Sequence, residues 1–263
     1  MTDAGQQPRP KRRRRLLGWL IAGGVLVVLL VVGFVVAENV VRAQNAARLH
    51  DEIVTAFGLD ADHPTRIDFG PGSLLLQAVS GKVDEVDIAV DDVPFGDITA
   101  DVAFSARGVA LDAANAADSV SATATLDETD VGSLRDYLSG IRLDSITLGD
   151  GTIDVSTTVD ALFLSVPVSA SITPSAAGGD LVFTPTSVTV NGAVVSIDDL
   201  RSGPLGGIAS RFLGSQSFCV AQYLPAAISL DDVTVADDAV VLSFEGEKVR
   251  LGGSDLSAKG SCG

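Results

Sequence analysis

Twenty-two consecutive uncharged residues, Leu16 to Ala37, read LLGWLIAGGVLVVLLVVGFVVA. As an α-helix rising about 1.5 Å per residue, the run extends roughly 33 Å, enough to cross a hydrocarbon core of about 30 Å. Lys11-Arg12-Arg13-Arg14-Arg15 stands directly before it. Cations remain on the cytoplasmic side, so residues 1–15 read as a cytoplasmic basic tail, 16–37 as a transmembrane anchor, and all that follows as extracytoplasmic. The expected location is a cell membrane, crossed once. A cleaved signal peptide has an apolar core of only about 7–15 residues. Val35-x-Ala37 resembles a cleavage site, yet the length of the run favours an uncleaved anchor. A core helix of a soluble domain fits poorly, because the run is apolar on all sides and flanked by cations.

Charge divides the chain at the same place. Residues 1–37 hold six Lys/Arg against one Asp, while the whole chain carries −16, so the part beyond Ala37 carries −21. Such a domain has no electrostatic basis for binding nucleic acid. The acidity reads first as solubility. The only cysteines are Cys219 and Cys262, both beyond the anchor, where a pair is most simply a disulfide that pins the C-terminal tail to the body.

After the anchor, Val40, Ala43, Ala47, Ile53, Val54 and Phe57 recur at helical spacing, and Gly58 and Pro64 end the pattern. Residues 38–64 therefore read as a stalk helix and linker, and 65–263 as a β-rich domain. Arg66 to Phe69, Ser73 to Val79, Val83 to Val90, Ile98 to Leu111 and Ser119 to Leu126 read as strands. In the last of these, Val120, Ala122, Ala124 and Leu126 alternate with Ser121, Thr123 and Thr125, the period of a half-buried strand. Thr129 or Asp130 is expected to cap a short helix carrying Val131, Leu134, Leu138 and Ile141.

Leu162 to Ile172 is the longest strand pattern. Leu162, Leu164, Val166, Val168, Ala170 and Ile172 share one face, with serines on the other. A strand this long suits a strongly twisted sheet or an elongated barrel. Pro167, on the polar face, suggests an edge or a bulge. Residues 197–213 turn helical, broken at Gly203-Pro204, with Leu205, Ile208, Phe212 and Leu213 as an apolar stripe.

A weak repeat recurs at an offset of 140 positions. Asp91-Asp92-Val93 matches Asp231-Asp232-Val233, Phe104 matches Phe244, Val109 matches Val249, and Leu111 matches Leu251. A shorter hairpin-like pattern occurs at Ser145 to Gly151 and again at Ser187 to Gly192, where Asn191-Gly192 is a strong turn signal. The longer repeat suggests two related β halves in one elongated body.

Catalytic signatures are absent from the sequence. His50 and His63 lie in the stalk and its linker, and no metal, phosphate-loop or nucleophile motif accompanies them. The pairs Asp91-Asp92, Asp198-Asp199, Asp231-Asp232 and Asp237-Asp238 sit at expected strand ends and turns, where Asp is favoured for local hydrogen bonds. The expectation is a non-enzyme without cofactor or metal. What remains is apolar surface. Leu74-Leu75-Leu76 and Leu162-Phe163-Leu164 place apolar groups on both faces of expected strands, and each face needs a cover.

Several segments together resemble a known family: Arg66-Ile-Asp-Phe-Gly70, Gly72-Ser-Leu-Leu-Leu-Gln-Ala-Val-Ser-Gly81, Val86-Asp-Ile-Ala-Val-Asp-Asp-Val-Pro-Phe-Gly96, Phe218-Cys-Val-Ala-Gln-Tyr-Leu-Pro225 and the terminal Cys262. Their order resembles the LmeA-type phospholipid-binding proteins of the actinobacterial cell envelope, over about residues 38–263. The resemblance implies an α+β protein: a transmembrane helix, then an elongated, strongly curved antiparallel sheet wrapping one or more helices around an apolar channel, as in tubular lipid-binding domains. It implies a periplasmic phospholipid partner, with phosphatidylinositol-type lipids as candidates, and support of envelope glycolipid assembly. Candidate acyl-chain contacts are Leu134, Leu138, Leu164, Val166, Val168, Leu205, Ile208 and Phe212. Arg66, Arg135, Arg142, Arg201 and Arg211 are candidates for a headgroup phosphate. The alternative is a structural or partner-binding ectodomain with a filled core that recruits envelope enzymes.

Overall fold

The computed structural model describes residues 12–96, 98–112, 114–133, 143–161, 164–195, 197, 199, 214–236, 238–251 and 255–262, with backbone alone at 12–28, 159–161 and 164. A single helix, α1 (Arg12–Phe57), runs from the basic tail through the apolar stretch and into the amphipathic segment beyond. It stops at Gly58, whose φ of 67° suits a residue without Cβ, and Leu59 N–H returns to the Val54 carbonyl at 2.9 Å. From Leu29 to Val36 the apolar side chains are open, and none of the described side chains in this part of the helix is buried against the protein. A core helix would be covered there. This is the one described helix long and apolar enough to cross a membrane.

The body begins with β1 (Thr65–Asp68), α2 (Leu74–Ser80), β2 (Lys82–Phe95), β3 (Ile98–Ala110), β4 (Ser119–Asp127) and α3 (Glu128–Ser133). It continues with β5 (Ser145–Leu148), β6 (Ile153–Ala161), β7 (Leu164–Ala177), β8 (Asp180–Val190), β9 (Ala193–Val195), β10 (Gln216–Cys219), β11 (Ser229–Ala236) and β12 (Ala239–Glu247). All described pairings are antiparallel and form two sheets. One has the order β1-β2-β3-β4-β12-β11, the other β10-β8-β7-β6-β5, with β9 added on β8. No described ladder joins them, so the strands do not close into a barrel.

Strand alternation gives each sheet one apolar and one polar face. In the first sheet, register aligns Ile67, Ile88, Phe104, Ala122, Phe244 and Leu230 in a row across all six strands. The neighbouring row on the opposite face is Arg66, Ala89, Ala103, Thr123, Ser243 and Asp232. In the second sheet, Ile146, Val155, Ala170, Val188 and Val195 align against Ser145, Ser156, Ser169 and Thr189 on the other face. The two apolar faces meet at one end. There Ala100, Leu126, Leu230, Val233, Val235 and Val240 pack with Ile146, Leu148, Ile153, Ala176 and Leu181, and α3 adds Val131.

Residues 73–79 are not the expected strand. Ser73 caps α2 by accepting Leu76 N–H at 3.3 Å, and Gly81, at φ 78°, closes it. Leu, Gln and Ala are good helix formers, and Leu74 and Gln77, three apart, share the buried side. The triple leucine therefore does not span a sheet. At α3 the cap is Asp127, which accepts Asp130 N–H at 2.8 Å, not Thr129 or Asp130. Asp130 instead accepts from Thr99 N–H and Oγ1–H, tying α3 to β3.

Pro167 marks no bulge, but it does stand at a locally open edge, beyond the last β7–β8 pair at Val168. β7 lies between β6 and β8, and its register shift falls at Ser171/Ile172. The Pro167 carbonyl accepts Asn191 N–H at 2.9 Å, just past the last pair of the β7–β8 ladder. A missing donor is tolerated there because β8 has already entered the Asn191-Gly192 turn, where both residues have positive φ.

The repeat maps β2–β3 onto β11–β12, and each Asp-Asp pair lies at a register shift. Both hairpins belong to the same sheet, on either side of β4, so the repeat does not divide the body into halves. Cys219 and Cys262 are joined, with Cα atoms 5.8 Å apart, tying the end of β10 to the C-terminal tail.

Leu126→Ala, in the core between the sheets, is expected to lower unfolding stability by about 2–5 kcal/mol, read from urea titration. Cys262→Ser opens a loop with a sequence separation of 43 and is expected to cost about 4 kcal/mol in the same titration.

Candidate functional site

Away from the junction, the apolar faces continue without full cover. Val86, Ile88, Val102, Phe104, Ala122, Ala124, Leu242 and Phe244 of the first sheet are half-buried. So are Val155, Val166, Val168, Ala170 and Ile172 of the second. Two further groups of fully buried positions lie at the margins. Ala106, Ala117, Val120 and Val249 are covered partly by Leu251 and Leu256 of the C-terminal segment. Phe69, Leu74 and Val83 are covered by Val41, Ala46 and Leu49 of α1. Between these clusters lies a broad aliphatic surface with phenylalanines set into it and no ionisable side chain in its central row. Such a surface offers dispersion contact and exclusion of water to methylene chains.

A cleft of about 630 Å³ crosses β1 to β4, but it belongs to the other face. Its lining runs in triplets centred on Ile67, Ile88, Phe104 and Ala122. The outer members, Arg66 and Asp68, Asp87 and Ala89, Ala103 and Ser105, Ser121 and Thr123, point to the polar side. The residues two steps away, such as Val86, Val102 and Val120, would wall a cleft on the apolar side, and they do not line it. The exposed lining of this trough is mainly apolar, and Arg66, Asp68 and Asp87 bring charge to it.

Of the residues expected to touch lipid, Val166 and Val168 lie half-buried on the apolar face of β7, and the backbone of Leu164 opens that strand. Leu134, Leu138, Leu205, Ile208 and Phe212 lie outside the described residues, as do Arg135, Arg142, Arg201 and Arg211. Arg66 is exposed at the trough and paired with Asp91 at 2.8 Å. Sequence reading passed over the row Ile67, Ile88, Phe104, Ala122 and Phe244. Its signals were present in the Val86-x-Ile88-x-Val90 alternation and in the match of Phe104 to Phe244. Only register shows that these residues form one line.

Two charge clusters set the body against α1 and hold its strand ends. Glu38, the first residue after the apolar run, accepts from Arg42 Nε (2.9 Å), Leu74 N–H (2.6 Å), Leu75 N–H (3.1 Å) and Ser73 Oγ–H (2.8 Å). Arg42 in turn donates to the carbonyls of Gly70 and Gly72. The stalk is thereby fixed to the start of α2. Asp118 accepts from Lys82 and from Lys248 (2.9 Å), drawing the ends of β2, β4 and β12 together. The hydrogen bond from Lys82, then that from Lys248, and the charges of both hold the Asp118 carboxyl at about 2, below its ordinary 3.8.

A β body with a wide aliphatic face, fixed beside a helix long and apolar enough to cross a membrane, defines a class of α+β proteins with extensive apolar surface. The chain belongs to the LmeA-like phospholipid-binding family, whose model matches residues 35–245, most of its length. The match begins within the apolar run and ends in β12, so it takes in the stalk, both sheets and α2. No curated protein and no solved structure matches the chain significantly.

Asp118 is ionised in the folded state to lower pH than in the unfolded chain. Its contribution to stability is complete above pH 3.8 and is lost as pH falls toward 2. Asp118→Asn is expected to flatten the stability profile in that window and leave its shape above pH 5 unchanged, as measured by urea midpoints across pH.

Proposed function

We propose that this protein is a single-pass membrane protein, N-terminus in the cytoplasm, whose extracytoplasmic body binds phospholipid acyl chains on the apolar faces of its two sheets. The observation that carries the reading is the half-buried aliphatic surface running through Ile88, Phe104, Ala122 and Phe244 and continued by Val166 and Val168. Family membership supports phospholipid as the ligand. Each methylene withdrawn from water contributes about 0.8 kcal/mol, so ten supply about 8 kcal/mol before ordering costs. The headgroup stays in solvent, where a phosphate can meet an arginine such as Arg66.

In this reading the sheets curve around helical cover to form a slot open at one side. Bound lipid is shuttled from the bilayer toward envelope glycolipid assembly, with phosphatidylinositol-type lipids as the first candidates. The protein carries and presents, and performs no covalent step. Residues 16–37 anchor, 38–64 form the stalk and linker, and 65–263 hold the lipid.

Mass spectrometry of the full chain, extracted from its native membrane and purified in detergent, is expected to show co-purifying phospholipid. Val168→Asp should reduce that lipid at least about tenfold, because a carboxylate must be desolvated against the acyl chain. Circular dichroism checks that the variant remains folded. A native chain free of lipid would overturn the proposal and leave the partner-recruiting ectodomain as the reading.

A further inference from the structure

One apolar ridge faces away from the body. α2 buries Leu74 and Gln77 but turns Leu76 and Val79 outward, 63% and 88% exposed. Leu111, 56% exposed, extends the ridge, its N–H bonded at 3.0 Å to the carbonyl of Gly81 at the end of α2. These are aliphatic side chains at helical spacing on the outer side of a helix, where polar residues are the rule.

Location separates this ridge from ordinary exposed leucines. The first turn of α2 is held by Glu38, immediately after the Leu16–Ala37 run, and Arg42 one turn further holds Gly70 and Gly72. One helical turn rises about 5.4 Å, so α2 starts within about a turn of the level where α1 leaves its apolar stretch. Charge points the same way. The chain beyond Ala37 carries −21, yet Lys82, next to Gly81, and Lys248 converge on one carboxylate, Asp118. Lys82 thus stands at the end of α2, with Asp112 beside Leu111 and Asp118 between the two lysines as the neighbouring acids.

We propose that this end of the body is a second membrane contact. Leu76, Val79 and Leu111 sit in the interface of the bilayer that α1 crosses, and Lys82 and Lys248 face its anionic headgroups. The inference rests on the reading of Leu16–Ala37 as a span. A helix alone leaves the body free to swing about its exit point, whereas helix and ridge together fix the tilt. The apolar faces are then held at a set height above the lipid.

The test uses the full chain in vesicles of phosphatidylcholine with a minority of phosphatidylglycerol, the body facing outward. An NBD label is placed by Val79→Cys, and by Val194→Cys as a reference on exposed β9 of the other sheet. Dithionite in the outer solution should bleach the label at position 79 on the order of tenfold more slowly than at 194, as for a group sunk in the interface. Leu76→Asp in the Val79→Cys chain should remove that protection. Equal bleaching at 79 and 194, or protection unaffected by Leu76→Asp, overturns the second contact. Alkaline extraction separates the two failures: a chain that stays in the vesicles keeps the span reading, and a chain that is released overturns both.

Discussion

Period-two alternation, carried in register across two antiparallel sheets, is the constraint from which the body follows. Each sheet sorts its side chains into an aliphatic face and a face of serine, threonine and acid. Water drives the aliphatic faces together, and they meet where β11 lies against β7 and β8. The contact covers only one end. C-terminal residues and α1 cover two margins, and the ground between stays half-buried. A protein built only to be stable would bring that surface together more fully. Here the incomplete cover is the feature that a ligand of methylene chains would complete.

The Glu38 cluster couples this body to the helix. Its four donors come from the stalk and from the start of α2, so the carboxylate serves as an end cap for one helix while being part of another. Because Glu38 directly follows the apolar run, the orientation of the body relative to that run is set within a few residues. A hinge at this point would uncouple the body from the apolar run. Arg42, bonded to Gly70 and Gly72, makes the junction two-sided.

Much of this was legible in the chain, and the misreadings have identifiable causes. The apolar run and the stalk periodicity gave α1, and Gly58 gave its end. The alternation in Ser119–Leu126 and Leu162–Ile172 gave β4 and, from Leu164 on, much of β7. Leu74-Leu75-Leu76 was misread because a short apolar run has no period of its own. Caps decided the matter, Ser73 at one end and Gly81 at the other. Pro167 was legible as an edge position but not as a bulge: the missing donor falls where the β8 ladder has ended. The trough over β1–β4 has no signature in sequence, since it joins residues from four separated strands.

By itself the sequence determined most of the helices and strands, which faces of the alternating strands are apolar, and where the membrane-length helix lies. Those properties depend on neighbours along the chain, through spacing, propensity and charge. Tertiary structure alone decided that Ile67, Ile88, Phe104, Ala122 and Phe244 form one row, that Glu38 receives α2, and that Leu76 and Val79 face outward. These depend on register and on docking between distant segments, which follow from the total burial of the folded chain rather than from any local stretch.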